Sequence, residues 1–414
     1  MELTAKQEAA LKLAVSRYNV GLPYTVISGY AGSGKSTLVK FIIAALNIPE
    51  ERVAYVAYTG KAANVLKNKG CPNATTAHKL LYHARQTKSG NYVFTPKPRL
   101  ENYDLIVVDE VSMLPQELWY QLLSHGIYVL AMGDPGQLSP PRDETNQVLE
   151  NPHIFLDEIM RQAQDSAIIR LSMHIREGKD FRTFPTVSGE VRIIPHKRQF
   201  EDEDVSLLQA SQIICGLNAQ RYELNNKVRK MLGRGPTPEP DDKIIGLKNH
   251  WNDISDEGNA LTNGAIGTIE PINHYLQTYP HNRFLAGLKS TDILIANFIT
   301  EDGDTFHNLP IDYNCLINNV PSLSAAQEYQ VGVHNKVINN KIDKYGKGLE
   351  DIMLIPYCFN YGYAITCWKA QGSEYPYVLG YDCSWLRKKD PEEYKKYLYT
   401  LVTRAEKAVI LVGD

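Results

Sequence analysis

Much that would place this 414-residue chain in a special class is missing from it. Its six cysteines (Cys71, Cys215, Cys315, Cys358, Cys367, Cys383) are scattered, with no CxxC pair and no histidine at ligand spacing. That argues against a disulfide or zinc framework and for reduced thiols in a cytosolic setting. No stretch approaches the ~18–20 apolar residues of a membrane span. The opening MELTAKQEAALKLAV carries charges and no long apolar core, so it does not read as a secretory signal. Basic excess is absent too: net charge is −3 and no tail is strongly basic. Composition therefore gives nucleic-acid binding no support, without excluding it, because a groove can be positive on an acidic protein. There is no repeat at fixed period and no low-complexity tract. What remains, 43% hydrophobic and 22% charged, is ordinary for a globular protein of two or three domains.

Short apolar runs alternate with helical patterns along the chain. Residues 4–20 read as an amphipathic helix opened by Thr4. "YTVISG", "RVAYVAYTG", "YDLIVVDE" and "GIYVLAMGD" read as strands with helices between them, the signature of a parallel sheet covered on both faces. Functional residues are then expected at the carboxyl ends of those strands. Residues 82–101 break the rhythm as an inserted hairpin, with a turn at "KSGN". A second α/β region is expected from residue 155, with the strand "QIICGL" and the helix "AQRYELNNKVRKML". From 271 to 356 the text turns strand-like and irregular ("TDILIANFI", "NCLINNV"), which predicts an inserted, mostly β module. The α/β pattern returns from 357 to 414.

Two motifs carry chemistry. "GYAGSGKS", Gly29–Ser36, fits G-x-x-x-x-G-K-[ST] after a strand and opening a helix, the context a phosphate-binding loop needs. Gly32 and Gly34 let backbone N–H groups close around phosphate oxygens, with Ser33 and Thr37 in the same turn. Lys35 is placed to reach the β- and γ-phosphates, and Ser36 to ligate Mg²⁺. "LIVVDEVSML" delivers Asp109 and Glu110 at the end of a buried strand, where acids are costly unless they meet a cation or a water. Asp109 is the expected Mg²⁺ ligand and Glu110 the base for an attacking water. The pair favours nucleotide hydrolysis over phosphate transfer to a small acceptor.

These motifs and seven further blocks together resemble superfamily 1 helicases, in the branch of the phage Dda and bacterial RecD helicases, from Leu3 to Val412. The resemblance implies two RecA-like parallel-sheet domains: 1–154 with the hairpin, then 155–270 with 357–414. An SH3-like insertion at 271–356 is implied by position, its sequence match being poor. In "LTAKQEAAL", Gln7 stands where the family reads adenine. "AYTGKAANVL" and "TTAHKLL" resemble blocks lining the single-strand path, which implies nucleic-acid contacts for Tyr58, Thr59, Lys61 and His78. "AMGDPGQLSPP" implies a γ-phosphate sensor at Gln137 and a DNA-touching loop at Pro140. "LDEIMRQAQDSAI" carries Arg161, and "YTLVTRAEKAVILV" carries Arg404, where the family places arginine fingers. "AITCWKAQGSEYP" implies that Thr366 and Lys369 touch the DNA backbone while Gln371 and Gly372 face the nucleotide.

The fit has departures. Trp368 replaces the usual histidine, and is either a base-stacking ring or a core residue; Tyr58 replaces a usual proline. "LTNGAIGTI" resembles a family block containing Asn263, though Asn-Gly is also an ordinary hairpin turn. Tyr92 and Phe94 are candidates for the apolar tip of a strand-separating pin, against the plain alternative of a surface hairpin. The implied activity is ATP- and Mg²⁺-dependent translocation 5′→3′ on single-stranded DNA with unwinding of duplex or forked DNA. The alternatives are a strand translocase that unwinds little and an RNA-directed helicase. A P-loop kinase or GTPase leaves Gln137, Arg161, Arg404 and residues 363–376 without work. The resemblance further implies a compact phage-type protein without the long N-terminal extension of larger relatives. It would act as a monomer, in the cytoplasm of a bacterial or phage-infected cell, alongside replication or recombination proteins, with no membrane partner.

Overall fold

β-branched runs become strands here because both their faces find apolar cover. In the computed structural model, Val53–Ala57, Leu105–Val108 and Tyr128–Gly133 are buried at every position, and Tyr24–Gly29 at all but its first. The structure describes residues 3–86, 92–139, 147–195, 207–345 and 352–413. The first sheet runs Ala74–Thr76, Val53–Ala57, Leu105–Val108, Tyr128–Gly133, Tyr24–Gly29, Ile154–Leu156, all parallel. The second runs Ala364–Thr366, Gln212–Cys215, Tyr375–Tyr381, Ala405–Val412, Val191–Ile194, also all parallel. The chain is thus α/β with two parallel sheets.

Local chemistry starts and stops the helices that cover them. Ala5–Asn19 opens with a capping box: the Thr4 hydroxyl accepts the Gln7 N–H, and the Gln7 amide oxygen accepts the Thr4 N–H. Such a cap contributes about 1 kcal/mol. The helix buries Ala10 and Ala14 against Ile27, Leu38 and Ile42 of the first core.

The chain divides into two compact units: residues 1–81, 97–224 and 364–414, which hold both parallel sheets, and residues 82–96 with 225–363. The second unit carries an antiparallel sheet in the order Thr305–Asp312, Ser290–Thr300, Ile266–Thr278, Asp242–Gly246, Phe359–Tyr361. Its core stacks Phe298 with Phe306 and sets Phe359 edge-on to Phe298. Beneath the sheet, the buried Asp242 carboxylate takes both Nε and a terminal nitrogen of Arg229 at 2.9 and 3.0 Å. Arg234, the Tyr363 hydroxyl and the Glu239 N–H also reach it.

These strands move the expected boundaries. Ile154–Leu156 pairs with Tyr24–Gly29, so the first sheet extends past residue 154. The antiparallel sheet begins at Asp242 rather than 271, and its last strand ends at Tyr361 rather than before 357. The error has a physical source: Asp242–Gly246 and Phe359–Tyr361 are short apolar runs whose sheet is chosen by partners distant in sequence. The hairpin strands are Tyr82–Gln86 and Tyr92–Pro96, so the insertion stops short of residue 101.

The inserted region is also less purely β than its text suggests. "NCLINNV" falls in the helix Tyr313–Asn318, opened by Asp312, whose carboxylate accepts the Cys315 N–H at 2.8 Å, and closed by Asn319 at φ 58°. Ala325–Tyr345 is a 21-residue helix. Its Gly332, β-branched residues and asparagines are weak helix formers, and burial of Val331 and His334 overrides them. All six cysteines are free and buried.

Candidate active site

The strand Tyr24–Gly29 runs directly into the phosphate-binding loop, and the helix Lys35–Leu46 leaves it. Gly32 and Gly34 adopt φ of 78° and 79°, the left-handed region that side chains resist. Space forbids side chains there as well: a Cβ on Gly34 would stand 2.5 Å from the Gln7 amide nitrogen. Lys35 Nζ donates to the carbonyls of Gly29 and Tyr30 at 2.6 and 3.0 Å, holding the ammonium over the mouth of the loop. The Ser33 hydroxyl is buried within the turn, and Ser36 and Thr37 line the cavity in front of it.

Gln7 is buried, and its amide nitrogen donates to the Ser33 carbonyl at 3.1 Å. It therefore braces the loop from behind as well as capping its own helix. The Met160 N–H donates to the Gly32 carbonyl at 3.0 Å, which places the short helix Arg161–Gln164 against the loop. Arg161 was expected to arrive from the second α/β region. Its backbone instead follows directly on the last strand of the first sheet. Its side chain lies outside the described residues.

Asp109 and Glu110 follow the buried strand Leu105–Val108, and the Asp109 N–H still pairs with the Val56 carbonyl at 2.9 Å. Glu110 is left-handed at φ 48°, a conformation that costs a non-glycine residue on the order of 1 kcal/mol. Its neighbours hold it there: Arg404 reaches its carboxylate at 3.6 Å, and Gln137 hydrogen-bonds to it. Burial pushes the Glu110 carboxyl above its ordinary range; the Arg404 guanidinium opposes that shift and the Asp109 charge adds to it. Burial likewise raises Asp109, against the Lys35 charge. Two carboxylates held high beside fixed cations are suited to holding a cation and accepting a proton.

The second parallel sheet supplies the opposite wall. Arg404, 5% exposed, is fixed by donating to the carbonyls of Thr400 and Ser373 at 3.2 and 3.1 Å. The Gln371 amide donates to the Leu138 carbonyl at 2.7 Å. Gly372, at φ 73°, packs so closely that a Cβ would meet that of Ala62 at 2.9 Å, with a Glu110 oxygen at 3.4 Å. These walls enclose a cavity of about 460 Å³ lined by Ser36, Thr37, Asp109, Glu110, Gly372 and Arg404.

Two functional groups escaped the sequence reading although their blocks were singled out. The Tyr399 hydroxyl accepts the Ala31 N–H of the loop at 2.8 Å and donates to Asp134 at 2.6 Å. The Thr400 hydroxyl accepts the Leu138 N–H at 2.8 Å. Tyr399 and Thr400 lie in "YTLVTRAEKAVILV", and Asp134 in "AMGDPGQLSPP". A buried tyrosine in a helix carries no local mark of the partner its hydroxyl will find.

The strand-contact candidates fall into three groups. In the first, the Thr59 hydroxyl caps the helix Gly60–Asn68, and Lys61 sits 4.5 Å over the Tyr375 ring, within 3.3 Å of its hydroxyl. Tyr58 and His78 hold their rings 6.3 Å apart, and burial lowers the His78 pKa. In the second, Thr366 ends the strand Ala364–Thr366 and precedes the helix Cys367–Ala370, which carries Trp368 and Lys369. Trp368 is partly exposed, its ring 6.4 Å from that of Tyr397. Lys369 is pushed down to about 8 by burial first and the Arg221 charge second. In the third group, Asn263 is exposed in the second unit, its N–H held by the Asn249 side chain at 2.7 Å. Pro140 lies outside the described residues.

The hairpin register corrects the expected tip. Tyr92 pairs with Gln86 nearest the turn, whereas Phe94 pairs with Ala84 and turns edge-on to Tyr82 at 6.0 Å. Residues 87–91 intervene between the strands, so Phe94 stands in mid-strand; the Tyr92 side chain lies outside the described residues.

Two parallel sheets, a phosphate-binding loop, an acidic pair and an arginine facing it from the second sheet together make up a P-loop nucleotide site. Family models agree: residues 2–194 match an AAA domain and residues 361–412 a UvrD-like helicase C-terminal domain. The chain is 28% identical over 397 residues, 94% of its length, to the ATP-dependent RecD2 DNA helicase of Deinococcus radiodurans, covering 47% of that protein. It is 29% identical over 192 residues to the ATP-dependent DNA helicase dda of Enterobacteria phage T4, 43% of each chain. It thus spans about half the length of these relatives, or less. Among solved structures, Pif1 helicase from Bacteroides in complex with ADP-AlF3 and ssDNA aligns over 99% of this chain and 92% of its own at 16% identity, TM-score 0.48. By these matches the chain is similar to superfamily 1 helicases of the Dda- and RecD-like branch.

Proposed function

We propose that this chain hydrolyses ATP to move 5′→3′ along single-stranded DNA and to unwind duplex ahead of it. The observation that carries the reading is the cleft pairing of Glu110, on the first sheet, with Arg404, on the second, at 3.6 Å. Phosphoryl transfer needs cations from outside the loop as charge develops on the γ-phosphate. An arginine tethered to another sheet couples that need to domain closure. Polarity and substrate are carried over from the resemblance to the Dda- and RecD-like branch.

In this mechanism the loop N–H groups and Lys35 bind the β- and γ-phosphates. Ser36 and Asp109 would hold Mg²⁺. A hydroxyl and a buried carboxylate at one cavity wall are the hard oxygen donors that ion takes, along with phosphate oxygens and water. The ion would neutralise developing phosphate charge. Glu110 orients a water and accepts its proton; its raised pKa makes it a better base than a solvated glutamate. Gln137, hydrogen-bonded to Glu110, senses the γ-phosphate, and Arg404, with Arg161, meets the transition-state charge. Thr366, Trp368 and Lys369 lead through Gln371 into Gly372 at the cavity, so one segment would touch strand and nucleotide together. No helix among the described residues is long and apolar enough to cross a membrane.

The test is steady-state ATP hydrolysis with no nucleic acid, with single-stranded DNA, and with RNA of equal length, followed by unwinding of 5′- and 3′-tailed duplexes. Stimulation by DNA and unwinding from the 5′ tail support the proposal. No stimulation by either polymer sinks it. Stimulation without unwinding leaves a translocase, and preference for RNA redirects the substrate.

A further inference from the structure

Away from the cleft, the outer edge of the first sheet carries a second cavity of about 300 Å³, lined by Thr75, Lys79, Lys97, Arg99, Glu101 and Asn102 among others. Thr75 lies on the edge strand Ala74–Thr76 and Lys79 on the helix Ala77–Leu81 that follows. Lys97 is the first residue after the hairpin strand Tyr92–Pro96. The Lys97 ammonium donates to the Lys79 carbonyl at 2.9 Å, which brings it onto the turn that carries Lys79. Among the described residues none of the three cations has an ion-pair partner, and Glu101 is the single carboxylate in the lining. Burial and the Lys79 charge both lower the Lys97 pKa, as expected where like charges converge without compensation.

A site of this kind is completed by an anion. Guanidinium and ammonium groups set beside a hydroxyl and an amide match the tetrahedral oxygens of a phosphate. We propose that this cavity seats a backbone phosphate of the nucleic acid, as an accessory anchor separate from the cleft. The proposal rests on the reading that the chain acts on nucleic acid. It favours the polymer over free phosphate because His78, on the same helix, stands among the residues assigned to the strand path. Such an anchor would hold the strand while the cleft opens.

The experiment uses the full chain carrying Lys79→Gln, Lys97→Gln and Arg99→Gln together, with Lys79→Arg/Lys97→Arg as the charge-keeping control. Affinity for single-stranded and forked DNA is measured across a salt series, beside ATP hydrolysis without nucleic acid as the check of integrity. The expected result is about a tenfold loss of affinity, with the slope of log K against log salt smaller by roughly 1–2. Basal hydrolysis should be unchanged, and the arginine variant near wild type. Unchanged affinity and slope in a variant with intact basal hydrolysis overturn the anchor and leave the helicase reading standing. If inorganic phosphate binds the wild type, and the triple variant loses that binding alone, the site takes free anion and the polymer assignment falls. A wild type that neither binds DNA nor is stimulated by it removes both readings.

Discussion

At the residue scale, catalysis depends on side chains whose environments are set against their ordinary preferences. Lys35 gives the most direct test, because its ammonium is held at the phosphate-binding loop by the Gly29 and Tyr30 carbonyls. Lys35→Ala should lower kcat for ATP on the order of 10²–10³-fold while leaving the thermal transition near wild type. A steady-state assay showing normal turnover would contradict the loop assignment. Lys369 offers a pH test. Its pKa is pushed down to about 8, so the charged form present at neutral pH is lost as pH rises through that value, earlier than for an ordinary lysine. Bound phosphate favours the charged form, so single-strand affinity should be full below pH 8 and weaken above it. In Lys369→Arg the affinity measured by fluorescence anisotropy should stay flat to about pH 10, since arginine keeps its proton there. If wild-type affinity shows no change near pH 8, Lys369 does not touch the backbone.

At the element scale, short helices and turns depend on single buried acceptors. Both oxygens of Asp312 are engaged: one accepts the Cys315 N–H, the other the N–H and hydroxyl of Ser322, each at 2.8 Å. Asp312→Ala leaves those buried donors unpaired and should cost about 2–4 kcal/mol, read as a lower denaturation midpoint with basal hydrolysis largely kept. This element also shows where sequence reading stops. "YTVISG" followed by "GYAGSGKS" could be read as strand, loop and helix because burial on both faces and glycine turns leave local marks. "NCLINNV" could not be read as a helix, since the aspartate that caps it stands before the run and the cover for Leu316 comes from remote strands. Tyr92 and Phe94 were legible as a strand, but their distance from the tip depended on register, which the turn decides.

At the scale of the molecule, the cleft is a set of contacts between residues far apart in the chain. Tyr399 joins Ala31 of the loop to Asp134, Gln371 and Thr400 hold the two polar groups of Leu138, and Arg404 meets Glu110. Removing one hydroxyl from this set should uncouple the sheets more than it empties the site. Tyr399→Phe is expected to reduce DNA-stimulated hydrolysis about tenfold and nucleotide affinity less, because the loop keeps its own N–H groups and Lys35. An equal loss of basal and stimulated rates in single-turnover assays would instead place Tyr399 in binding alone.

By itself the sequence determined the phosphate-binding loop, the acidic pair and the alternation that makes parallel sheets, since each is written in contiguous residues whose geometry is local. It also marked Arg404 and residues 363–376 as blocks with a role. Only the tertiary structure decided that Arg404 faces Glu110, that Tyr399 spans loop and Asp134, that the antiparallel sheet starts at Asp242, and that three cations share a cavity beside Thr75. Those outcomes depend on which distant surfaces bury one another. A hydrogen bond or ion pair across that distance exists only once the cores on both sides have closed.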